Sequence, residues 1–329
     1  WRDWSSDVCS SDLRAGGLLA SCACPGAAAH LATSLKEEHG SKGPLAAARG
    51  KAHEYLGMAM GFRVPGRRAL SQHDCIKKSR NELSDYWKAG CRSTPAPENL
   101  LKIDQGSEEL NEQLREEYHQ VAAKALWLSQ RPRPGLQLAT GFHCARVKEP
   151  AAQGSKKLMQ LLAYAWKARY LPLAIGIGEN GELHIHIDGA RAAHAGAKGH
   201  SGLLAALGLG AMINASKKLG INTTSSTEAE VVPAGERLPK RAWLRCFRAG
   251  QGENAKGDVL LQDNKSAILL QKNYPYSTGK GSQHIHVRYY FAVHKIKSKE
   301  LRIVHCPADK LVADYNSKPL RSEEHTSEL

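Results

Sequence analysis

No stretch of eighteen consecutive apolar residues occurs in the chain, so no helix of bilayer length is encoded. Nor does its start carry the charged-then-apolar layout of a secretory leader, and an intracellular chain with no membrane attachment is expected. The eight cysteines, Cys9, Cys22, Cys24, Cys75, Cys91, Cys144, Cys246 and Cys306, form no CxxC pair. That speaks against a zinc ribbon or a disulfide framework and for reduced thiols. Cys22 and Cys24, near His30, fit no zinc spacing either. Acid is the scarce charge: 32 Asp and Glu stand against 46 Lys and Arg, a formal net charge of +14. Such an excess on a chain with 42% hydrophobic residues, ample for a core, points to a polyanionic partner, nucleic acid before an anionic membrane surface.

Residues 321–329 (RSEEHTSEL) look like a translated sequencing adapter, and residues 4–13 (WSSDVCSSDL) look like the same adapter read from the opposite strand. Residues 1–13 and 321–329 are therefore expected to be adapter-derived and without a fold. Residues 14–32 show no defensible period. Residues 33–63 predict a short helical piece ending at Gly43-Pro44, then a strand pair around Tyr55, Leu56, Met58 and Met60. Residues 64–105 are polar and mixed, with an extended crossing at Thr94-Pro95-Ala96-Pro97. Leu110, Leu114, Tyr118, Val121, Ala122, Ala125 and Leu126 predict a helix over 108–130 that Arg131-Pro132-Arg133-Pro134-Gly135 stops. A second helix over 155–168 would turn Leu158, Leu161, Leu162 and Ala165 inward and leave Lys156, Lys157 and Lys167 in water.

Residues 181–190 (GELHIHIDGA) are the stretch around which the rest is organised. Period-2 alternation puts Leu183, Ile185 and Ile187 on one face and His184, His186 and Asp188 on the other. The glycine after Asp188 predicts a strand end that delivers the carboxylate into a turn. Residues 201–209 and 210–215 then read as two glycine-punctuated strands, closed by Ser216-Lys217-Lys218. Residues 223–230 (TTSSTEAE) place hydroxyls before acids, a helix start with Ser225 or Ser226 as N-cap. Breaks in that helix are expected near Pro233 and Pro239. Residues 257–262 form a fourth strand ending at Asp263, and residues 264–272 and 283–296 form helices. A fifth strand at 301–306 leads into a helix at 311–317 that carries Asp314. The order predicts an α/β fold, a mixed five-stranded sheet with flanking helices.

Asp188, Glu230, Asp263 and Asp314 thus form an ordered set that such a sheet would gather. Like charges do not gather without compensation, which implies bound divalent cations. Two Mg²⁺ ions, with Mn²⁺ as substitute, would suit an in-line phosphoryl displacement.

From residue 182 onward the chain resembles the ribonuclease H domain of copia-type (Pseudoviridae) LTR-retrotransposon polyproteins. The matching boxes are HIDGA (186–190), SSTEAE (225–230), QDNKSAILL (262–270), HIHVRYYF (284–291) and CPADKLVADYNSKPL (306–320). Upstream, HEYLGM (53–58), STPAPENL (93–100) and AKALWLSQRPRP (123–134) are similar to the end of the same element's reverse transcriptase, and FHCARVKEP (142–150) and 156–173 to the link between the two. The resemblance implies a ribonuclease H-like domain at 176–320, preceded by a reverse-transcriptase thumb and connection remnant at 51–175 and an unassigned remnant at 14–50. It implies hydrolysis of the RNA strand of an RNA–DNA hybrid, with Asp188, Glu230, Asp263 and Asp314 as catalytic and metal-binding carboxylates and Glu228 as the competitor to Glu230. His305 would assist product release. Thr224, Ser225, Ser226 and Asn264, together with Lys280, Arg288 and Lys318, would contact nucleic acid, the hydroxyl-rich cluster at the backbone or 2′-OH and the cations at phosphates. The partners implied are the hybrid and the remainder of the polyprotein, in a cytoplasmic virus-like particle or the nucleus. No YVDD-like polymerase box occurs, so DNA synthesis is not expected.

Three other readings compete. A histidine-metal module is suggested by HIH at 184–186 and 284–286, but the second triplet falls in a predicted helix, where alternate residues face apart. A DDE-type transposase would end its set in Glu, whereas here Glu comes second. A catalytically silent remnant that at most binds nucleic acid is the remaining alternative.

Overall fold

A computed structural model describes residues 25–42, 50–88, 90–250, 252, 257–273 and 291–319. Lys280, Arg288, the 284–286 triplet and both adapter-like ends lie outside the described residues. Among those described, no helix is long and apolar enough to cross a membrane.

The first half opens with α1 (Pro25–His39), which begins inside the stretch 14–32 where the sequence shows no defensible period, and the antiparallel hairpin β1 (Ala52–Tyr55) and β2 (Met58–Gly61), where the sequence placed a strand pair. Residues 64–105, read as polar and mixed with no element assigned before the 94–97 crossing, hold β3 (Arg67–Ser71) and α2 (His73–Asn81). Their charge hid them: β3 turns both arginines outward and only Leu70 and Ser71 are half-buried, while α2 buries only Ile76. Then come α3 (Glu112–Ser129), capped by Asn111 whose side chain accepts from the Leu114 N–H at 2.8 Å, α4 (Gln137–Cys144) and α5 (Ala152–Lys167). Trp87, Leu100, Tyr118, Leu136, Leu158 and Leu161 fill the core between them. Lys157 does not stay in water. It shares its helix face with Leu161, is 5% exposed, and donates to the carbonyls of Asn99 (2.9 Å), Leu100 (2.9 Å) and Lys102 (2.6 Å). Three acceptors replace its hydration, which is the condition for burying an ammonium.

β4 (Leu173–Ile177) pairs antiparallel with β3, and the expected start of the C-terminal unit at residue 176 falls inside it. The second sheet begins with β5 (His184–Ala190), β6 (Lys198–Ala206) and, after β7 (Gly208–Leu209), β8 (Ile213–Asn222). β7 leaves this meander and pairs with β4, tying the two sheets together. After α6 (Ser226–Arg237) and α7 (Pro239–Gly250), β9 (Asp258–Gln262) is followed by α8 (Lys265–Asn273), α9 (Phe291–Lys297), β10 (Leu301–His305) and α10 (Asp314–Ser317). The strand order is β10-β9-β5-β6-β8, with β6 antiparallel to β5 and β8, and β9 parallel to β5 and β10. This is the mixed five-stranded sheet that the sequence predicts. Leu183, Ile185 and Ile187 point into its core with Leu203, Ala205 and Leu260, as the alternation requires.

Three further expectations, in the second sheet and its helices, need correction. Asp188 lies within the ladder, opposite Gly202, because β5 runs on to Ala190. The meander does not close at Ser216-Lys217-Lys218, since β8 continues to Asn222 with both lysines exposed; lysines suit a sheet edge, which blocks further pairing. The helix does not break at Pro233, which is accommodated inside α6. A proline there has no N–H for the Ala229 carbonyl four residues back. That carbonyl instead abuts Gly189, where any Cβ would overlap it.

Candidate active site

Four elements bring the acids together. Asp188 projects from β5 and is 1% exposed; Glu230, one turn into α6, is 6% exposed. Asp263 follows β9 directly, and Asp314 opens α10. Two glycines set the spacing. Gly189 lets the α6 backbone lie against β5, and Gly202 lets α10 lie against β6, since a Cβ at Gly202 would overlap the Ala313 carbonyl. One oxygen from each of Asp188, Glu230 and Asp263 falls within 4.8 Å of the other two. Asp314 lies outside that trio and is joined to Asp188 through Lys318, whose Nζ lies 3.0 Å from Asp314 Oδ2 and 3.6 Å from Asp188 Oδ2.

Hydrogen bonds hold the group in place. The Gly189 N–H donates to Glu230 Oε1 at 3.2 Å, and Gln262 Nε2 donates to the Glu230 carbonyl at 3.1 Å. Gln271 supports Gln262 at 2.8 Å. The Ser317 hydroxyl donates to Asp188 Oδ2. Inward-facing Oδ1 atoms of Asp263 and Asp314 are buried and take no hydrogen bond. Burial raises the Glu230 pKa well above the usual carboxylate range, with Asp188 and Asp263 adding to it. Burial and then Asp188 raise Asp263 as well, against an opposing pull from Lys318 and His305. Asp314 is pushed up to about 6, by burial first and Asp188 second. Burial pulls the Lys318 ammonium down, but Asp188 and Asp314 outweigh it and its pKa rises.

The geometry separates Glu228 from Glu230. Glu228 Oε2 accepts from the Thr224 N–H and, at 2.7 Å, from the Thr224 hydroxyl, while its own N–H donates to Ser225 Oγ at 3.1 Å. This is reciprocal capping with Ser225 as N-cap, and it turns Glu228 away from the cluster that Glu230 joins. Asn264 caps α8, its Oδ1 accepting from the Ala267 N–H at 3.0 Å. Ser226 is exposed at the start of α6, and His305 is exposed at the end of β10, in register with Gln262. Lys318 sits among the carboxylates. The sequence reading missed Gln262, Gln271 and Ser317. The signal available for Gln262 was an amide that follows the apolar run Val259–Leu261 of a buried strand. Among the described residues, His184 and His186 join no metal-capable cluster; the carboxylate trio is the one found there.

An all-oxygen donor set with two unpartnered oxygens and repelling charges fits a hard divalent cation rather than a thiophilic one. No family model matches the chain. Over 121 residues, 37% of its length, it is 31% identical to the retrovirus-related Pol polyprotein from transposon TNT 1-94 of Nicotiana tabacum, and the matched region spans 9% of that polyprotein. Among solved structures, LC11-RNase H1, isolated from compost by a metagenomic approach, is 14% identical with a TM-score of 0.32, over 42% of this chain and 93% of that one. The same enzyme in complex with an RNA/DNA hybrid gives 19% identity and a TM-score of 0.28, over 41% and 94%.

Proposed function

We propose that this chain, a relative of retrotransposon Pol polyproteins built on a ribonuclease H-like sheet, hydrolyses the RNA strand of RNA–DNA hybrids. The observation that carries the reading is the convergence of Asp188, Glu230 and Asp263 within 4.8 Å, with Asp314 beside them on α10, on a sheet of that strand order. These four carboxylates would hold Mg²⁺, or Mn²⁺ in its place. When bound, two such ions would stabilise the charge that develops on the attacking water and on the leaving oxygen of a phosphodiester.

The chain's own groups orient the acids. Gly189 and Gln262 fix both oxygens and the backbone of Glu230, and Ser317 fixes Asp188, so the carboxylates are set before any substrate arrives. Ser226, exposed at the start of α6, would meet a 2′-hydroxyl, whereas the Thr224 and Ser225 hydroxyls and the Asn264 side-chain oxygen already bond within the chain. Selectivity would rest on the 2′-OH and on hybrid shape rather than on base sequence. The net charge of +14 supplies the attraction for phosphates. His305 at the β10 end would assist product departure. Residues 51–175 would be the end of a reverse transcriptase and its connection, without the polymerase carboxylates, within a larger polyprotein.

The test is cleavage of a labelled RNA–DNA hybrid by the full chain in Mg²⁺, beside Asp263→Asn and with duplex DNA as control. RNA-strand cleavage of the hybrid alone, lost in the variant, is expected. A folded protein that binds the hybrid without cutting it would overturn the reading in favour of a silent remnant.

A further inference from the structure

Lys318 was expected at the nucleic-acid surface, yet its ammonium lies inside the acidic cluster. It is 3.0 Å from Asp314 Oδ2 and 3.6 Å from Asp188 Oδ2, and the Asp188 side chain is only 2% exposed. The placement is built into the end of α10. The Lys318 N–H donates to the Asp314 carbonyl at 3.0 Å, which fixes the lysine one turn beyond Asp314. The residue before it, Ser317, donates to the same Asp188 oxygen. Asp188 Oδ2 is therefore claimed from α10 by a hydroxyl and an ammonium. Meanwhile Asp188, Glu230 and Asp263 make a compact trio, and Asp314 stands outside it with one oxygen on Lys318 and the other buried without a partner.

We infer that the Lys318 ammonium is a resident cation on the Asp188–Asp314 edge of the site, so that the trio takes the first divalent ion and a further ion recruited through Asp314 must displace the lysine. The inference rests on the proposed metal-binding role of these carboxylates. Displacement is feasible because the Lys318 side chain is 45% exposed and its four-carbon stem is flexible. Its loss would matter for two reasons. A unit charge this close to two carboxylates is felt strongly in a partly dry site, and the metal-free cluster has no other ammonium or guanidinium on either of those two acids among the described ion pairs. Lys318 thus offsets repulsion before metal arrives and competes with the second ion afterwards.

The experiment is Mn²⁺ binding by the full chain, followed through the signal of the free ion, for wild type, Lys318→Met and Lys318→Arg, together with thermal unfolding of each in chelator. In Lys318→Met the first binding step is expected to change by less than about threefold and the second to tighten by about tenfold or more. The metal-free Met variant should melt below wild type and recover in saturating Mn²⁺, while Lys318→Arg, which keeps the charge, should melt near wild type. A second step unchanged in Lys318→Met, or a metal-free Met variant as stable as wild type, would overturn the inference. Absence of Mn²⁺ binding in all three proteins would overturn both it and the metal reading beneath it. Binding steps as stated, with no hybrid cleavage, would support the inference and fault only the proposed reaction.

Discussion

Asp314→Asn should stabilise the metal-free protein, although it removes a residue of the site. The Asp314 carboxyl is pushed from 3.8 to about 6, by burial first and by Asp188 second, with Lys318 pulling back. An acid whose folded pKa is raised holds its proton more tightly in the native state. Below pH 3.8 the group is protonated in both states and has no effect on stability. Between 3.8 and about 6 the penalty grows by about 1.4 kcal/mol per pH unit, reaching about 3 kcal/mol above that window. Asparagine keeps the shape and discards the charge, so the variant should exceed wild type by roughly 2–3 kcal/mol at pH 8 and match it near pH 4. Urea unfolding in chelator across that range measures the difference. In saturating Mg²⁺ the order should reverse, because wild type then gains the binding energy of a ligand that only the native state holds. A variant no more stable than wild type at pH 8 in chelator would refute the reasoning.

Gly189→Ala should cost about 2 kcal/mol or more, since the new Cβ would overlap the Ala229 carbonyl and lie 3.0 Å from Pro233; a urea midpoint close to wild type would show that α6 can move off β5 freely. Acid should destabilise the whole protein through its buried imidazoles. Burial lowers His143 to about 3, and burial followed by the neighbouring His194 lowers His200 to about 3. Their contribution is fully present above the unfolded value of about 6.5 and is lost as pH falls from there toward 3, at about 2 kcal/mol each by pH 5. His200→Asn should flatten the unfolding free energy between pH 7.5 and 5 relative to wild type, and an unchanged slope would count against the assignment.

Much of the C-terminal sheet was legible because each strand carries its own local signal. The alternation from Leu183 to Asp188 fixed which side faces the core, and the TTSSTEAE run narrowed the N-cap to Ser225 or Ser226, of which the structure uses Ser225. Local patterns failed where a residue's environment is supplied by distant chain. Lys217 and Lys218 read as a strand terminator, yet they sit on β8, which among the described strands pairs with β6 alone, and the lysines face water. Lys157 read as a wet helix face, and only the carbonyls of residues 99 to 102, brought from a loop far up the chain, make its burial tolerable. The four carboxylates could be ordered from sequence, but not divided: nothing in the spacing shows that Asp188, Glu230 and Asp263 form the compact trio while Asp314 is shared with Lys318. Glu228 and Glu230 differ by two positions on one helix, about 200° of rotation, and the Thr224 cap decides which of them looks inward.

That division bears on how a fold tolerates four acids in one place. Repulsion would open the sheet if it were met only by a metal that arrives after folding. Here the two most buried carboxylates are met first by donors carried on a neighbouring element: the Gly189 N–H from β5 reaches Glu230 on α6, and Ser317 and Lys318 at the end of α10 reach Asp188 on β5. The donors are available only because Gly189 and Gly202 let helix backbone approach the strands on both faces of the sheet, within a side chain's thickness of Asp188. The close packing and the charge compensation therefore have one structural origin. A change that pushes either helix outward should weaken both together, since the hydrogen bonds that offset the charge span the same gap that the glycines keep narrow.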